Sequence, residues 1–196
     1  MRHQHQNYLH KLLFKIIIMK PLFLLLIAAF SLLSTFAQNA EDTTDGRFHD
    51  ELLNHLVGKW TVSGVAHGEA FKNMTLEAEW IINHQYLQIH EKGTDTIPWL
   101  KMPWEAMFLI GYNHYEKRYV YYELTINGVD ASYEGFCYAT RTGNKLKISC
   151  KISSDEHINQ YFVWEPASGS WHLENRLEKA GKEGEPYLDL KAIPAK

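Results

Sequence analysis

Two cysteines carry the clearest chemistry in this sequence, because their spacing suits a disulfide bond. Cys137 and Cys150 flank Gly143-Asn144, a dipeptide typical of a two-residue hairpin loop. In that hairpin Thr142 faces Lys145, and counting five residues outward along each strand places the two cysteines directly opposite each other. The pair falls on a non-hydrogen-bonded site, where antiparallel strands lie closest. The spacing therefore predicts a Cys137–Cys150 disulfide, with two reduced core thiols as the alternative.

Three polar residues interrupt strand faces that are otherwise apolar or aromatic, and they are candidates for binding the polar end of a ligand. Glu123 alternates with tyrosines, Asn175 lies between two leucines, and Arg141 shares a face with Cys137. A buried glutamate or arginine is costly unless it is paired. Glu123 and Arg141 could form an internal ion pair of purely structural value, or both could orient a ligand. The sequence leaves these alternatives open.

The direction of Glu123 depends on the register of the strand over residues 118–126. One register turns Glu123 towards the interior together with Tyr121, a further candidate for ligand contact. The other register turns the alternate face inward, and that face comprises Val120, Tyr122 and Leu124. On apolarity alone the second register is at least as well supported as the first.

Aromatic side chains supply most of the remaining candidates for a pocket wall. The loop over residues 94–105 carries Trp99 and Trp104, and it is predicted either to cover the barrel mouth as a lid or to plug one end of the core. A third hypothesis makes this loop the contact surface of a ligand-free interaction domain. The candidates on neighbouring strands are Trp80, Tyr86 and His90. The face that carries His90 is predicted to be the solvent side.

No motif for catalysis or metal binding emerges from the sequence. Its histidines lack the spacing of a metal site, and it has no Gly-rich phosphate loop, Ser-His-Asp order or paired-carboxylate signature. We therefore predict no catalytic residue, no metal and no cofactor. An enzymatic barrel is the alternative to a simple binding protein.

Alternation of apolar and polar residues with a period of two predicts an all-β domain. Ten strands are expected, over residues 60–66, 74–82, 86–92, 107–112, 118–126, 132–140, 145–152, 157–164, 171–179 and 188–193. Short turns join them, so they should form an antiparallel meander. A meander of this length must close into a barrel or split into a sandwich to remove its edges, and we expect closure.

A short helix and a Gly-x-Trp motif precede the first strand and favour a closed barrel. Residues 47–57 repeat apolar side chains at helical spacing, and Asp45 is a suitable cap. Gly58 permits a tight turn into the first strand. Trp60 is expected to plug the closed end of the barrel, so both residues are assigned structural roles.

Three stretches resemble the lipocalin-like, or calycin, superfamily, and more narrowly a family of secreted bacterial barrels. They are Leu53 to Gly64, Glu79 to Ile82 followed by Tyr86-Leu87, and Pro103 to Asn113 followed by Lys117 to Tyr122. The resemblance implies a barrel with an interior pocket for a small apolar molecule and no established chemistry. A neighbouring calycin group binds haem through a late histidine, so haem is a second alternative. His172 would be that ligand, but it alternates with charged residues on a face that should point outward.

The N-terminal region predicts export from the cell. An apolar run, Leu22 to Leu33, follows Lys20 and precedes small residues, which are the three parts of a secretory signal peptide. We expect cleavage after Ala37, with Met19 as an alternative start, and a periplasmic or secreted protein. If the signal segment is not cleaved, that segment would be the protein's one contact with a membrane.

Residues 1–37 are the predicted leader, and the region that follows them is acidic. After a linker over residues 38–46, residues 47–196 are predicted to form a single lipocalin-like β-barrel domain. Removing the leader leaves 16 basic and 23 acidic side chains, a net charge near −7. That charge does not suit nucleic acid, so the expected partner is a small apolar or amphipathic molecule.

Overall fold

Ten antiparallel strands form a closed barrel in a computed structural model of the chain, which describes residues 41–42, 46–98, 100–126, 128 and 136–196. The elements are β1 (Glu41–Asp42), β2 (Phe48–His49), α1 (Glu51–Asn54), β3 (Gly58–Ala66), β4 (Glu69–Ile81), β5 (Tyr86–Ile97), β6 (Met102–Asn113), β7 (Arg118–Thr125), β8 (Phe136–Thr142), β9 (Lys145–Lys151), β10 (Glu156–Glu165), β11 (Ser170–Lys179) and β12 (Lys182–Pro194). The predicted all-β meander, with a short helix before the barrel, is confirmed.

The barrel is closed by pairing between its first and last strands. Each strand from β3 to β12 pairs with the next, and β12 returns to pair with β3, where Ala192 faces Val62 and Leu190 faces Gly64. Closure pairs both edges of every strand in the ring, which removes the open edges that promote association. The short strands β1 and β2 form a separate two-stranded sheet.

Strand β7 adopts the register that leaves its more apolar face in solvent. Tyr121 is fully buried and Glu123 lines the interior, whereas Tyr122 and Leu124 are 44% and 50% exposed. Apolarity is a poor guide here because a tyrosine can bury its ring when its hydroxyl finds a partner. The Tyr121 hydroxyl donates to the Gln160 side chain at 3.0 Å.

The predicted helix over residues 47–57 is much shorter in the structure. α1 covers only Glu51–Asn54, because the residues before it form β2 and pair with β1. Its cap is Asp50, whose carboxylate accepts a hydrogen bond from the Leu53 backbone N–H at 2.9 Å, so the expectation that Asp45 caps the helix is wrong. The segment still covers one end of the barrel with buried apolar side chains, namely Phe48, Leu52, Leu53 and Leu56.

Gly58 and Trp60 join this helical segment to the barrel. Gly58 has a φ of 127°, a conformation that strains any residue with a side chain. Trp60 is buried, and its indole N–H donates to the Leu56 carbonyl at 2.7 Å. Its ring packs edge-on against Trp164. Side chains therefore fill this end of the barrel, which we call the closed end.

The predicted disulfide is confirmed. Cys137 and Cys150 are bonded, and their Cα atoms lie 4.7 Å apart, as in a non-hydrogen-bonded antiparallel pair. The hairpin pairs Thr142 with Lys145 around Gly143-Asn144, as the loop dipeptide indicated. In the chain-entropy account, closing a loop of this size stabilises the fold by about 3 kcal/mol.

The predicted loop between the third and fourth barrel strands is mostly strand. β5 continues to Ile97 and β6 begins at Met102, so the arms of a hairpin replace most of the loop expected over residues 94–105. The pairing becomes irregular between Lys92 and Thr96. Trp99, the first of the two proposed lid residues, lies outside the described residues.

The predicted signal peptide, its cut site after Ala37 and most of the predicted linker lie outside the described residues. Within that linker, Glu41–Asp42 forms β1. Among the residues that the structure describes, no helix is long and apolar enough to cross a membrane.

Candidate functional site

An interior cavity of about 690 Å³ lies towards the end of the barrel opposite the closed end. The helical segment and Trp60 fill only the closed end of the barrel. Beyond them the strands surround a cavity. Its wall is largely apolar and includes Phe71, Met74, Phe108, Ile158, Phe162 and Leu173. Small-molecule sites typically have volumes of about 300–1,000 Å³, and this cavity falls within that range.

Glu91 is a deeply buried carboxyl group in the cavity wall. It points inward from β5 with 8% of its surface exposed. The Trp104 indole N–H donates to its Oε2 at 3.0 Å, and within the described part of the chain no hydrogen bond reaches Oε1. Burial raises the pKa of Glu91 from its ordinary 4.5 to about 7, and the charge of Glu123 adds to this rise against the opposing effect of the Trp104 bond.

A chain of hydrogen bonds positions Glu123, the second carboxylate of the wall. Gln160 on β10 accepts from the Tyr121 hydroxyl through its side-chain oxygen, and its Nε2 donates to Glu123 Oε2 at 2.9 Å. Because the carboxylate can only accept and the phenol donates, the Gln160 amide has one orientation that satisfies both partners. The wall therefore holds Glu123 in a defined direction.

Asn175 and Tyr187 form a further polar pair on the adjacent strands β11 and β12. Both line the cavity, and a hydrogen bond joins their side chains. Burial raises the pKa of Tyr187 to about 12, so its hydroxyl is protonated at neutral pH. His67 stacks on the Tyr187 ring with centroids 5.1 Å apart. Asn175 and Tyr187 add neutral donors and acceptors to the wall.

The charge of the cavity wall is negative. Its carboxylates are Glu91, Glu123 and Glu185, and among the described residues no lysine or arginine lines the cavity. The His67 imidazole lies on the same wall. An apolar cavity with acidic groups and no fixed cation favours neutral or positively charged molecules over anions.

Three of the residues selected from the sequence meet in this cavity: Trp104, Glu123 and Asn175. Tyr121 is fully buried behind the wall and reaches it through Gln160. Sequence reasoning missed Glu91, Gln160 and Tyr187. Gln160 could have been found by the signal that identified Glu123, since it interrupts an inward face between Ile158 and Phe162.

Trp80 lies at the closed end and not at the cavity. Its indole N–H donates to Asn54 Oδ1 at 2.8 Å, and its ring stacks on His84 with centroids 4.2 Å apart. It also packs edge-on against Phe48. These contacts make Trp80 part of the plug that the helical segment forms.

Tyr86 and His90 lie on the outer face of β5, opposite the buried face that carries Glu91. A Cβ atom at Gly111 would lie 2.6 Å from the Tyr86 ring, so this ring covers the glycine of the neighbouring strand. His90 Nε2 lies 2.9 Å from Glu105 Oε1. The structure does not bring either side chain to the cavity wall.

Arg141 also lies at the closed end, where its Nη1 contacts Asp50 Oδ2 at 3.0 Å. Tyr119 faces Ala139 across the β7–β8 pair, so Arg141 and Glu123 lie six residues apart along the sheet. At the rise of a β-strand this separation is about 20 Å. Of the two alternatives that the sequence left open, the Glu123–Arg141 ion pair is therefore wrong, because each residue has a partner at its own end of the barrel.

The late histidine considered as a haem ligand points away from the cavity. His172 Nε2 contacts Asp189 Oδ1 at 2.8 Å across the β11–β12 pair, on the outer face. Within the described ranges, no cluster of three or more His, Cys, Asp or Glu side chains is placed to hold a metal ion.

A closed ten-stranded antiparallel barrel is compatible with a lipocalin-like fold. Comparison with protein-family models finds no match to this chain, and comparison with curated proteins finds none either. The barrel and its cavity are compatible with ligand binding.

Proposed function

We propose that the protein is an exported, lipocalin-like binding protein that holds a small apolar or amphipathic molecule inside its barrel. One observation carries this proposal: a cavity of about 690 Å³ with a largely apolar wall and a few polar groups. Small-molecule sites share these properties, because apolar burial supplies affinity while the polar groups orient the ligand.

Export is supported by the disulfide and by the predicted signal peptide together. Disulfides such as Cys137–Cys150 persist in oxidising compartments and are rare in the cytosol. Mass spectrometry of the protein purified from its own host should give a chain that begins at Gln38. A chain that keeps residues 1–37 would contradict the predicted cleavage.

Binding is tested with a neutral fluorescent dye, N-phenyl-1-naphthylamine, whose emission rises in an apolar site. Ile158 lines the cavity, so Ile158→Trp should fill part of it and weaken dye binding about tenfold, or about 1.4 kcal/mol. Val163 on the outer face of β10 provides the matched control, and Val163→Trp should leave binding unchanged. Circular dichroism checks that both variants fold.

Two results would overturn the proposal. The first is no dye binding by the unmodified protein at any concentration tested. The second is equal binding by both tryptophan variants, which would place the dye outside the barrel. Native mass spectrometry of protein from its own host complements the titration, because a small molecule that co-purifies identifies the natural ligand directly.

A further inference from the structure

Two of the three carboxylates in the cavity wall, Glu91 and Glu123, lie on either side of the Phe108 ring. Glu91 on β5 is in register with Ala106 on β6, and Glu123 on β7 is in register with Phe108 on β6. Strand spacing and rise then place the two glutamate Cα atoms about 12 Å apart. Both side chains point inward, so a single bound group above Phe108 lies within reach of each of them.

One of these carboxylates has an oxygen atom that faces the cavity and receives no hydrogen bond from the described residues. Glu91 is more than nine-tenths buried, and Trp104 supplies a hydrogen bond to Oε2 alone. Within the described part of the chain, no donor is in place for Oε1. Burying a carboxylate without a full set of partners is unfavourable, so this site is suited to a ligand that brings a donor or a positive charge.

Among the described residues, no lysine or arginine lines the cavity to balance these carboxylates. Aromatic faces add to the preference for a cation, since the Phe108 and Tyr121 rings stack with centroids 5.6 Å apart beside Glu123. A carboxylate-bearing ligand such as a fatty acid would meet repulsion at the same place.

We propose that the ligand of this barrel is an amphipathic cation, an amine or related positively charged nitrogen group on an apolar body, received by Glu91 and Glu123. This inference rests on the proposed binding function and specifies the ligand class. The charged nitrogen donates to Glu91 Oε1 and lies near Glu123, while the apolar body contacts Phe71, Phe162 and Leu173.

The test compares three competitors with the same ten-carbon chain: decylamine, decanol and decanoate. Each displaces N-phenyl-1-naphthylamine at about pH 8, where the amine is charged and Glu91 has lost most of its proton. Decylamine should bind about tenfold more tightly than decanol, and decanoate should bind most weakly. Equal binding of decylamine and decanol would overturn the inference.

Variants then assign the preference to the two carboxylates. Glu91→Gln and Glu123→Gln should each reduce the advantage of decylamine over decanol about tenfold and leave decanol binding within about twofold. Glu105 lies exposed on the outer face of β6, so Glu105→Gln makes the same change in net charge without touching the cavity and should change nothing. A decylamine advantage that persists in both cavity variants would overturn the inference.

The outcomes separate this inference from the binding function itself. A protein that binds the dye and releases it to decanol as readily as to decylamine is a binding protein without a preference for cations. A protein that binds neither the dye nor any competitor lacks the proposed function altogether. Circular dichroism of each glutamine variant confirms that a lost preference is not lost folding.

Discussion

The buried carboxylate of Asp50 holds the closed end of the barrel together. It accepts hydrogen bonds from the Leu53 backbone N–H, from the Tyr119 hydroxyl and from the Arg141 guanidinium. Burial, together with the nearby charge of Asp50, raises the pKa of Tyr119 well above its usual range, so the phenol stays protonated and donates. One side chain thus caps α1 and ties it to two strands of the barrel.

Replacing Asp50 by alanine should destabilise the protein by about 3–5 kcal/mol, because the change leaves Arg141 without its buried carboxylate partner. The helix cap contributes about 1 kcal/mol of this loss. Urea unfolding measures the effect. Glu51→Ala is the control, since Glu51 is exposed in the first turn of the same helix. A loss for Asp50→Ala no larger than that of the control would contradict the role given to Asp50.

Ionisation of Glu91 lowers the stability of the folded protein, whereas ionisation of a paired surface carboxylate raises it. Its pKa in the folded protein, about 7, lies above its ordinary 4.5, so the unfolded chain loses this proton first as the pH rises. The folded state is then progressively disfavoured between about pH 4.5 and about pH 7. A residue selected for stability alone would not carry this cost, which is consistent with a role in binding.

Glu91→Gln should therefore stabilise the ligand-free protein at about pH 8 by about 3 kcal/mol and have little effect at about pH 4.5. The amide keeps the shape of the side chain but carries no charge to desolvate. Urea unfolding of both proteins at the two pH values measures the difference. Equal stability of Glu91→Gln and the unmodified protein at both pH values would contradict the argument.

Each barrel strand turns one face towards the core or the cavity and also pairs with its neighbours. The two backbones approach closely at the seam between β3 and β12. A Cβ atom on Gly64 would lie 2.1 Å from the Asp189 backbone oxygen and 2.8 Å from the Leu190 Cα. The register shift between Val62 and Gly64 lies at the same place. The seam therefore requires a residue without a side chain.

Gly64→Ala should destabilise the protein by about 3 kcal/mol, because backbone atoms on β12 cannot move aside as a side-chain tip could. Thermal and urea unfolding measure the loss. Gly93→Ala is the matched control on β5, where the nearest atoms would lie at an ordinary contact distance of 3.5 Å, and it should cost less than about 1 kcal/mol. Similar losses for the two variants would show that the seam is not tight.

At the scale of the whole molecule, closure of the sheet creates the cavity. The contacts that close it join β3, near the start of the barrel, to β12 at its end. The cavity wall uses residues from both strands, including Ala66 and Leu190. An open sheet of the same strands would have two unpaired edges and no enclosed wall, so folding and binding depend on the same seam.

A chain that ends at Ala180, without β12, should lose the closed barrel and expose the edges of β3 and β11. We expect aggregation in size-exclusion chromatography with light scattering, no cooperative unfolding and no dye binding. A chain that ends at Pro194 keeps the whole of β12 and should behave like the full protein. A monomeric, cooperatively unfolding chain without β12 would contradict this account.

The local pattern of the sequence determined the strands and the disulfide. Period-two alternation and turn residues act over a few neighbouring positions, so the ten barrel strands could be predicted from them. The hairpin at Gly143-Asn144 sets its own register, and that register was enough to pair Cys137 with Cys150. The helix is shorter than predicted because Phe48 and His49, at the start of the predicted range, pair with β1, a contact that helical spacing does not reveal.

Only the tertiary structure decided which polar residues meet. The inward face of β7 is set by partners far along the chain, since Tyr121 bonds Gln160 39 residues away and Tyr119 bonds Asp50 69 residues away. Glu123 and Arg141 share inward faces but lie at opposite ends, whereas Glu91 and Glu123 come together across β6. Alternation defines the face of the strand on which a side chain lies, but not its position along the barrel axis. That position follows from strand register and barrel closure, which depend on long-range contacts.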